Sequence, residues 1–246
     1  MSDTVIVVPA RLGSQRFPRK LLFPLRGRPL ILWTAANLRR LAGDTPLFFA
    51  VAEPELEAVL TAEGYNCVQT DPDLPSGTDR IAVANQSIGA SRIINVQGDE
   101  PVIHAEHLQK LCALMDDGKD MATLATPFTR EDHFRDSNKV KVVIGAQDQA
   151  LYFSRAPIPF NRDTGGSLPS HTYWHLGVYA YTAALLDAFT SWKPGTLEVT
   201  ERLEQLRVLE NGGRIGVGIT QTRTVGIDVE EDLAELEAHL SELESQ

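Results

Sequence analysis

Four cations stand on one short stretch, Pro9-Ala-Arg-Leu-Gly-Ser-Gln-Arg-Phe-Pro-Arg-Lys20, and three of them, Arg11, Arg16 and Lys20, group with the hydroxyl of Ser14. Forked guanidinium groups, an ammonium and loop amides together suit phosphate oxygens, and three cations suit a triphosphate. The stretch is neither a GxxxxGK[ST] loop nor a GxGxxG fingerprint, because Gly13 stands alone. The same residues also fit a solvated basic loop that pairs with an acidic remainder.

Ser76-Gly77-Thr78-Asp79-Arg80 sets small hydroxyl residues around a glycine, which lets backbone approach a planar base or ribose. It also fits a loop entering a helix through a cap at Thr78 or Asp79. Asp99, in Val-Gln-Gly-Asp-Glu-Pro, and Asp228, in Gly-Ile-Asp-Val-Glu-Glu-Asp-Leu, are carboxylates suited to a hard cation. Asp228 with Glu231 reads equally as a capping box for the helix bearing Leu233, Leu236, Leu240 and Leu243. A further group comprises Phe153-Ser-Arg155, His175-Leu-Gly-Val-Tyr179 and Leu203-Glu-Gln-Leu-Arg207. The last is expected on a helix with Val199, Leu203 and Leu206 toward the core and Glu204 and Gln205 turned elsewhere. No HxxxH, GxSxG or S-x-x-K pattern occurs, so neither a histidine metal site nor a serine nucleophile is indicated.

The elements that position these residues alternate. Val5 to Val8 is a continuous β-branched run, as in a strand buried on both faces, and Pro29 opens a helix with Leu30, Trp33, Leu38 and Leu41 on one side. Leu47–Val51 is a second strand; Glu53-Pro54 starts a helix that Gly64 stops; Cys67–Gln69 and Ser91–Val96 are strands; His104–Met115 is helical. Ala122–Thr126, Val140–Ile144, His175–Tyr181 and Ile215–Ile219 are further strand candidates, and Gly165–Ser170 reads as loop. Strand and helix in alternation predict an α/β fold with a mostly parallel, doubly wound sheet. Ligands of such sheets bind beyond the carboxyl ends of the strands, where the residues after Val8 and Val96 lie.

The 246 residues, 43% of them apolar, suffice for one large α/β domain. The net charge of −10 speaks against a nucleic-acid partner. Yet residues 1–40 carry eight Arg and Lys against Asp3 alone, +7 beside −17 for everything after, so the N-terminal segment is suited to an anion. No apolar run approaches the roughly 18 residues of a membrane span, and no basic leader precedes Val5, so a cytoplasmic protein with no membrane partner is expected. Cys67 and Cys112 form no CxxC, so neither disulfides nor zinc is indicated.

Taken in order, PARLGSQRFPRK, PSGTDR, VQGDEP, YFSRAPIP, HLGVYAY, LEQLRVL and GIDVEEDL cover nearly the whole chain, and the sequence resembles the 3-deoxy-manno-octulosonate cytidylyltransferase family, the CMP-Kdo synthetases. The resemblance implies a Rossmann-like nucleotidyltransferase fold: a mostly parallel central sheet flanked by helices, with a smaller sugar-binding and dimerisation lobe. It implies one domain over 1–246 with a sub-lobe inserted around 125–195, and a homodimer. The implied reaction joins CMP from CTP to the acid sugar Kdo, with Mg2+, for lipopolysaccharide synthesis. By the same resemblance Arg11, Ser14, Arg16 and Lys20 hold the triphosphate, and Ser76, Gly77, Thr78 and Arg80 the cytidine. Gln97, Arg155, His175, Tyr179, Glu204 and Gln205 surround the sugar acid; Asp99 and Asp228 bind metal; Arg16, Lys20 and both aspartates are the catalytic set. The family commonly has glycine where this chain has Arg19, which bears on the loop's conformation. An enzyme for sialic acid or an 8-amino Kdo analogue, and a nucleotide-sugar-binding regulator, are the alternatives.

Overall fold

All seven residues of β1 (Thr4–Ala10) are buried, as expected of a β-branched run flanked by strands and covered on both faces. In the computed structural model, which describes residues 3–14, 16–227 and 229–243, the chain is mixed α/β and divides into two compact units. One comprises Met1–Ala105 with Thr224–Gln246, the other Glu106–Arg223.

In the first unit β1 leads through a 3-10 turn at Lys20–Leu22 and the short strands β2 (Pro24–Leu25) and β3 (Arg28–Pro29) into α1 (Leu30–Ala42). Then follow β4 (Leu47–Val51), α2 (Pro54–Ala62), β5 (Asn66–Gln69), α3 (Gly77–Ile88) and β6 (Arg92–Asn95). The strand order β6-β1-β4-β5 is parallel throughout, with Thr4 beside Arg92 and Ile6 beside Leu47. The helices are the crossovers that parallel pairing requires.

The second unit contains α4 (Ala105–Asp116), β7 (Met121–Pro127), α5 (Glu131–Arg135), β8 (Lys141–Ile144), β9 (Ala150–Ser154) and β10 (Tyr173–Thr182). It continues through α6 (Ala183–Ser191), α7 (Thr196–Glu201) and α8 (Leu206–Glu210) to β11 (Ile215–Ile219). Here β7 pairs parallel with β11 and antiparallel with β10, while β8 pairs antiparallel with β10 and β9. The chain then returns to the first unit, where α9 (Leu233–Leu243) buries Leu236 and Leu240 beside Phe17, Leu25, Leu30, Val102, Val225 and Ile227. That cluster anchors both the loop at Phe17 and the segment around Ile227 in apolar surface. Among the described residues no helix is long and apolar enough to cross a membrane.

Several local expectations change. Ser76 caps α3, its hydroxyl accepting from Asp79 N at 3.1 Å, so Thr78 and Asp79 lie inside the helix. The helix expected through Val199, Leu203 and Leu206 is two short ones, because Arg202 takes a left-handed backbone (φ 53°) between them. That break leaves Val199 64% exposed and turns Gln205 inward, to 4%. Asp228 lies outside the described residues; the turn entering α9 is closed by Asp232, whose carboxylate accepts from Val229 N at 2.9 Å. The strand β9 and the helices α5 and α6 carried too little periodicity to be expected.

Candidate active site

Three motifs of the first unit converge where β1 and β6 end. Gly98 lies so close to the end of β1 that a Cβ there would sit 3.2 Å from Pro9 O, and 3.0 Å from Ile31 Cδ1. A Cβ on Gly77 would meet the Pro9 ring at 3.4 Å and Gln97 Oε1 at 3.7 Å. Pro9, Gly77 and Gln97–Asp99 are therefore neighbours, as expected of the carboxyl end of a parallel sheet.

The loop after β1 is held by its backbone. Leu12 N donates to both oxygens of Glu53, at 3.0 and 3.1 Å, and Leu12 O accepts from Ser14 N at 2.8 Å and Arg19 N at 3.2 Å. Arg11 and Arg16 are exposed and Ser14 is half-buried. Arg19 sits at φ 58°, ψ 23°, the left-handed region that glycine enters freely, and its guanidinium spans both oxygens of Glu55 at 2.6 Å. That geometry explains why a glycine suits the position, and fixes Lys20 immediately after it.

Lys20 Nζ lies against the Asp99 carboxylate and donates to Ile227 O at 2.6 Å. Asp99 O in turn accepts from Ile227 N at 2.9 Å, and Val102 O from Val225 N at 3.2 Å, so the 99–102 and 225–227 segments are tied by their backbones. A carboxylate and a carbonyl gathered around one cationic nitrogen form a hard-oxygen donor set, which fits a divalent cation of the magnesium or calcium type. Among the described residues no three acidic, histidine or cysteine side chains cluster as a metal site.

Other first-unit candidates are more structural than expected. Ser76 Oγ donates to Asp79 Oδ2 at 2.7 Å, so its hydroxyl serves the helix start. Thr78 is buried. Arg80 is 1% exposed, donates from Nη1 to Thr70 Oγ1 at 2.5 Å and Asp71 O at 3.1 Å, and keeps a buried Nη2 without a partner. Burial holds its pKa below the usual guanidinium value. Gln97 donates to Asn95 Oδ1 at 3.2 Å.

In the second unit the antiparallel register brings His175 and Tyr179 to one face. A bulge between Leu176 and Tyr179 frees the carbonyls of Leu176 and Val178, and Thr123 Oγ1 donates to them at 3.1 and 2.8 Å. His175 Nε2 meets the same hydroxyl at 3.1 Å, between the rings of Phe153 and Tyr179. Burial alone depresses the imidazole pKa to about 3, so the ring is neutral. Arg155 follows β9, half-buried. Gln205 has a buried Nε2 with no partner, whereas Glu204 beside it is exposed.

The supporting residues Glu53, Thr123 and Thr34, whose hydroxyl donates to Gly98 O at 2.8 Å, were not anticipated. Glu53 reads in sequence only as a helix start, and a threonine within a strand carries no signal of the bulge it satisfies.

Comparison with known proteins decides the family. The cytidylyltransferase family model matches residues 5–215. The 3-deoxy-manno-octulosonate cytidylyltransferase of Bdellovibrio bacteriovorus is 42% identical over 240 residues, 96% of each chain. That of an Anaeromyxobacter species is 42% identical over 243 residues, 98% of each chain. The chain belongs to the 3-deoxy-manno-octulosonate cytidylyltransferase family. A solved CMP:2-keto-3-deoxy-manno-octonic acid synthetase complexed with CTP superposes with a TM-score of 0.90 at 32% identity, over 97% of this chain and 98% of that one. This cytidylyltransferase is thus a nucleotidyltransferase in fold and in lineage, and family members generally use a divalent metal.

Proposed function

We propose that this cytidylyltransferase transfers CMP from CTP to the anomeric hydroxyl of 3-deoxy-D-manno-octulosonate, giving CMP-Kdo and pyrophosphate for lipopolysaccharide synthesis. The observation that carries the reading is the 42% identity, end to end, with enzymes named for that reaction. The sugar's anomeric oxygen forms a bond to the α-phosphorus, the bond to the bridging β-phosphate oxygen breaks, and the hydroxyl proton is lost.

Arg11, Ser14 and Arg16 are read as the triphosphate's donors; the exposure of both arginines supports this. Lys20 stabilises charge that grows on the departing pyrophosphate, joined by Arg16. Ser76, Gly77, Thr78 and Arg80 are read as the wall of the cytidine pocket, three of them acting through the shape and rigidity of α3's first turn. Asp99 and Asp228 would hold Mg2+; the oxygen donors around Lys20 Nζ support Asp99. Mg2+, when bound, neutralises the α-phosphate and lowers the pKa of the attacking hydroxyl. On the sugar side, Arg155 is the partner for the carboxylate, and Gln97, His175, Tyr179, Glu204 and Gln205 are the hydroxyl contacts; the unmatched Gln205 Nε2 supports its share.

The chain is read as one nucleotidyltransferase domain whose segment around 125–195 is a sub-lobe, working in the cytoplasm as a homodimer. Exposed Leu151, Phe160, Leu197 and Val199 in the second unit support self-association. The test is pyrophosphate release with CTP, UTP, ATP and GTP against a panel of 2-keto-3-deoxy sugar acids. CTP with Kdo is expected to be turned over best and purine triphosphates hardly at all; equal turnover with GTP would overturn the assignment.

A further inference from the structure

Arg155 is held at both of its backbone atoms and at all three guanidinium nitrogens. Its backbone N donates to Glu201 Oε2 at 2.9 Å, and its backbone O accepts from Lys141 Nζ at 2.7 Å. Its Nε donates to Glu201 O at 2.7 Å, Nη1 to Ser137 O at 3.0 Å, and Nη2 reaches Arg202 O at 3.4 Å. Five N–H groups less three leave one on each terminal nitrogen, enough to grip both oxygens of a carboxylate.

The groups doing the holding are themselves costly to place. Lys141 is fully buried, and its three N–H bonds end on the carbonyls of Asp136 (3.0 Å), Lys139 (2.9 Å) and Arg155. A buried ammonium that needs three carbonyls to be tolerated is expensive as filler in a strand whose neighbours are valines. Glu201 spends one carboxylate oxygen on Ser154 Oγ at 2.6 Å and the other on Arg155 N. It is the last residue of α7, and the left-handed Arg202 that follows turns the carbonyls of 201 and 202 toward Arg155.

We propose that Glu201 is a positioning residue for the acid sugar: seconded by Lys141, it locks Arg155 at both backbone atoms and at Nε, so that the guanidinium meets the substrate carboxylate already oriented. This rests on the reading of Arg155 as the carboxylate's partner. A guanidinium freed from the lock keeps its charge and loses its preset direction, so binding of the sugar acid weakens while CTP binding does not.

The experiment is steady-state kinetics on the full chain for Glu201→Gln, Arg155→Ala and the double variant, with both substrates varied and melting temperatures measured. Glu201→Gln removes the charge and leaves a single acceptor oxygen, so the bonds to Ser154 Oγ and Arg155 N can no longer both be accepted by the side chain. The expected result is a KM for the sugar acid raised about tenfold, an unchanged KM for CTP and a kcat within about threefold. Arg155→Ala should raise the sugar-acid KM further, and the double variant should be no worse than Arg155→Ala alone, since the lock has nothing left to hold. If Glu201→Gln does not fold, Glu201→Asp decides on the same criteria: its shortened side chain cannot reach Ser154 and Arg155 together. A sugar-acid KM raised by Arg155→Ala and untouched by the Glu201 variant overturns the positioning role and spares Arg155. Equal rises in both KM values also overturn it, as a merely structural loss. An unchanged sugar-acid KM in Arg155→Ala overturns the reading of Arg155 itself.

Discussion

The ammonium of Lys20 rests on the carboxylate of Asp99 and on the carbonyl of Ile227, so in this structure one side chain of the phosphate loop neutralises the carboxylate proposed for the metal. On the proposed assignment, nucleotide and divalent cation would share out these partners, Lys20 turning to phosphate and Asp99 to the cation. Lys20→Met should therefore lose about 10²-fold or more in kcat. It should also bind Mn2+ more tightly than the parent enzyme when CTP is absent, because the competing cation is gone. Mn2+ titration followed by electron paramagnetic resonance checks the second outcome. Weaker Mn2+ binding in the variant would show that Lys20 supports the cation site.

At the start of α9 the observed cap is Asp232, and the metal-binding role proposed for Asp228 is open to a separate test. Asp232 closes the turn through Val229 N. Asp232→Ala should thus cost about 1 kcal/mol, a fall of roughly 2–4 °C in Tm, with kcat little changed. Asp228→Asn is expected to do the opposite, leaving Tm in place while activity falls and the magnesium requirement rises. Full activity of Asp228→Asn at limiting magnesium would leave Asp99 as the sole proposed protein ligand.

Arg19 bears on what the family's usual glycine does. Its left-handed backbone carries a steric cost that glycine escapes, while its exposed pair with Glu55, at 57% and 55% side-chain exposure, contributes at most about 1 kcal/mol after screening. Arg19→Gly trades these two against each other, so Tm and kcat should both stay near the parent's. Arg19→Val loses the pair and adds a β-branched Cβ where φ is 58°, so its Tm should fall by roughly 2–4 °C or more. Equal melting temperatures for the two variants would mean that the loop relaxes out of the left-handed region without penalty.

Much of this architecture was legible in the order of residues because burial on both faces leaves continuous apolar runs. Leu47–Val51 and Ile215–Ile219 have the expected limits, and β1 extends its expected run by a residue or two at each end. The loop cations and Asp99 stood out as candidates for chemistry because charged residues soon after a buried strand have no core role. What could not be read depends on single backbone angles and on long-range partners. The left-handed Arg202 splits the helix that was to carry Gln205 and sends that side chain inward. The three carbonyls around Lys141 come from 136, 139 and 155, and nothing near Lys141 in sequence announces the last of them.

His175 yields the pH dependence. Its folded pKa, pushed down to about 3 by burial, lies below the ordinary histidine value of 6.5, so the unfolded chain binds a proton that the native one refuses. The stability this neutral ring contributes is fully present above pH 6.5 and is lost as pH falls from 6.5 toward 3. The slope approaches about 1.4 kcal/mol per pH unit once the unfolded histidine is protonated. Between pH 6.5 and 5, before most carboxylates titrate, the parent should lose stability that His175→Asn does not, so their urea-unfolding free energies should converge with acid. The hydroxyl of Thr123 already has two carbonyls to serve, so the imidazole carries its proton on Nε2 and leaves Nδ1 as an acceptor. Nitrogen-15 NMR of the folded enzyme at pH 6 should report a neutral, Nε2-protonated ring. An imidazolium signal there, or parallel stability curves for parent and variant, would mean that the ring is solvated and that Thr123 does not fix its tautomer.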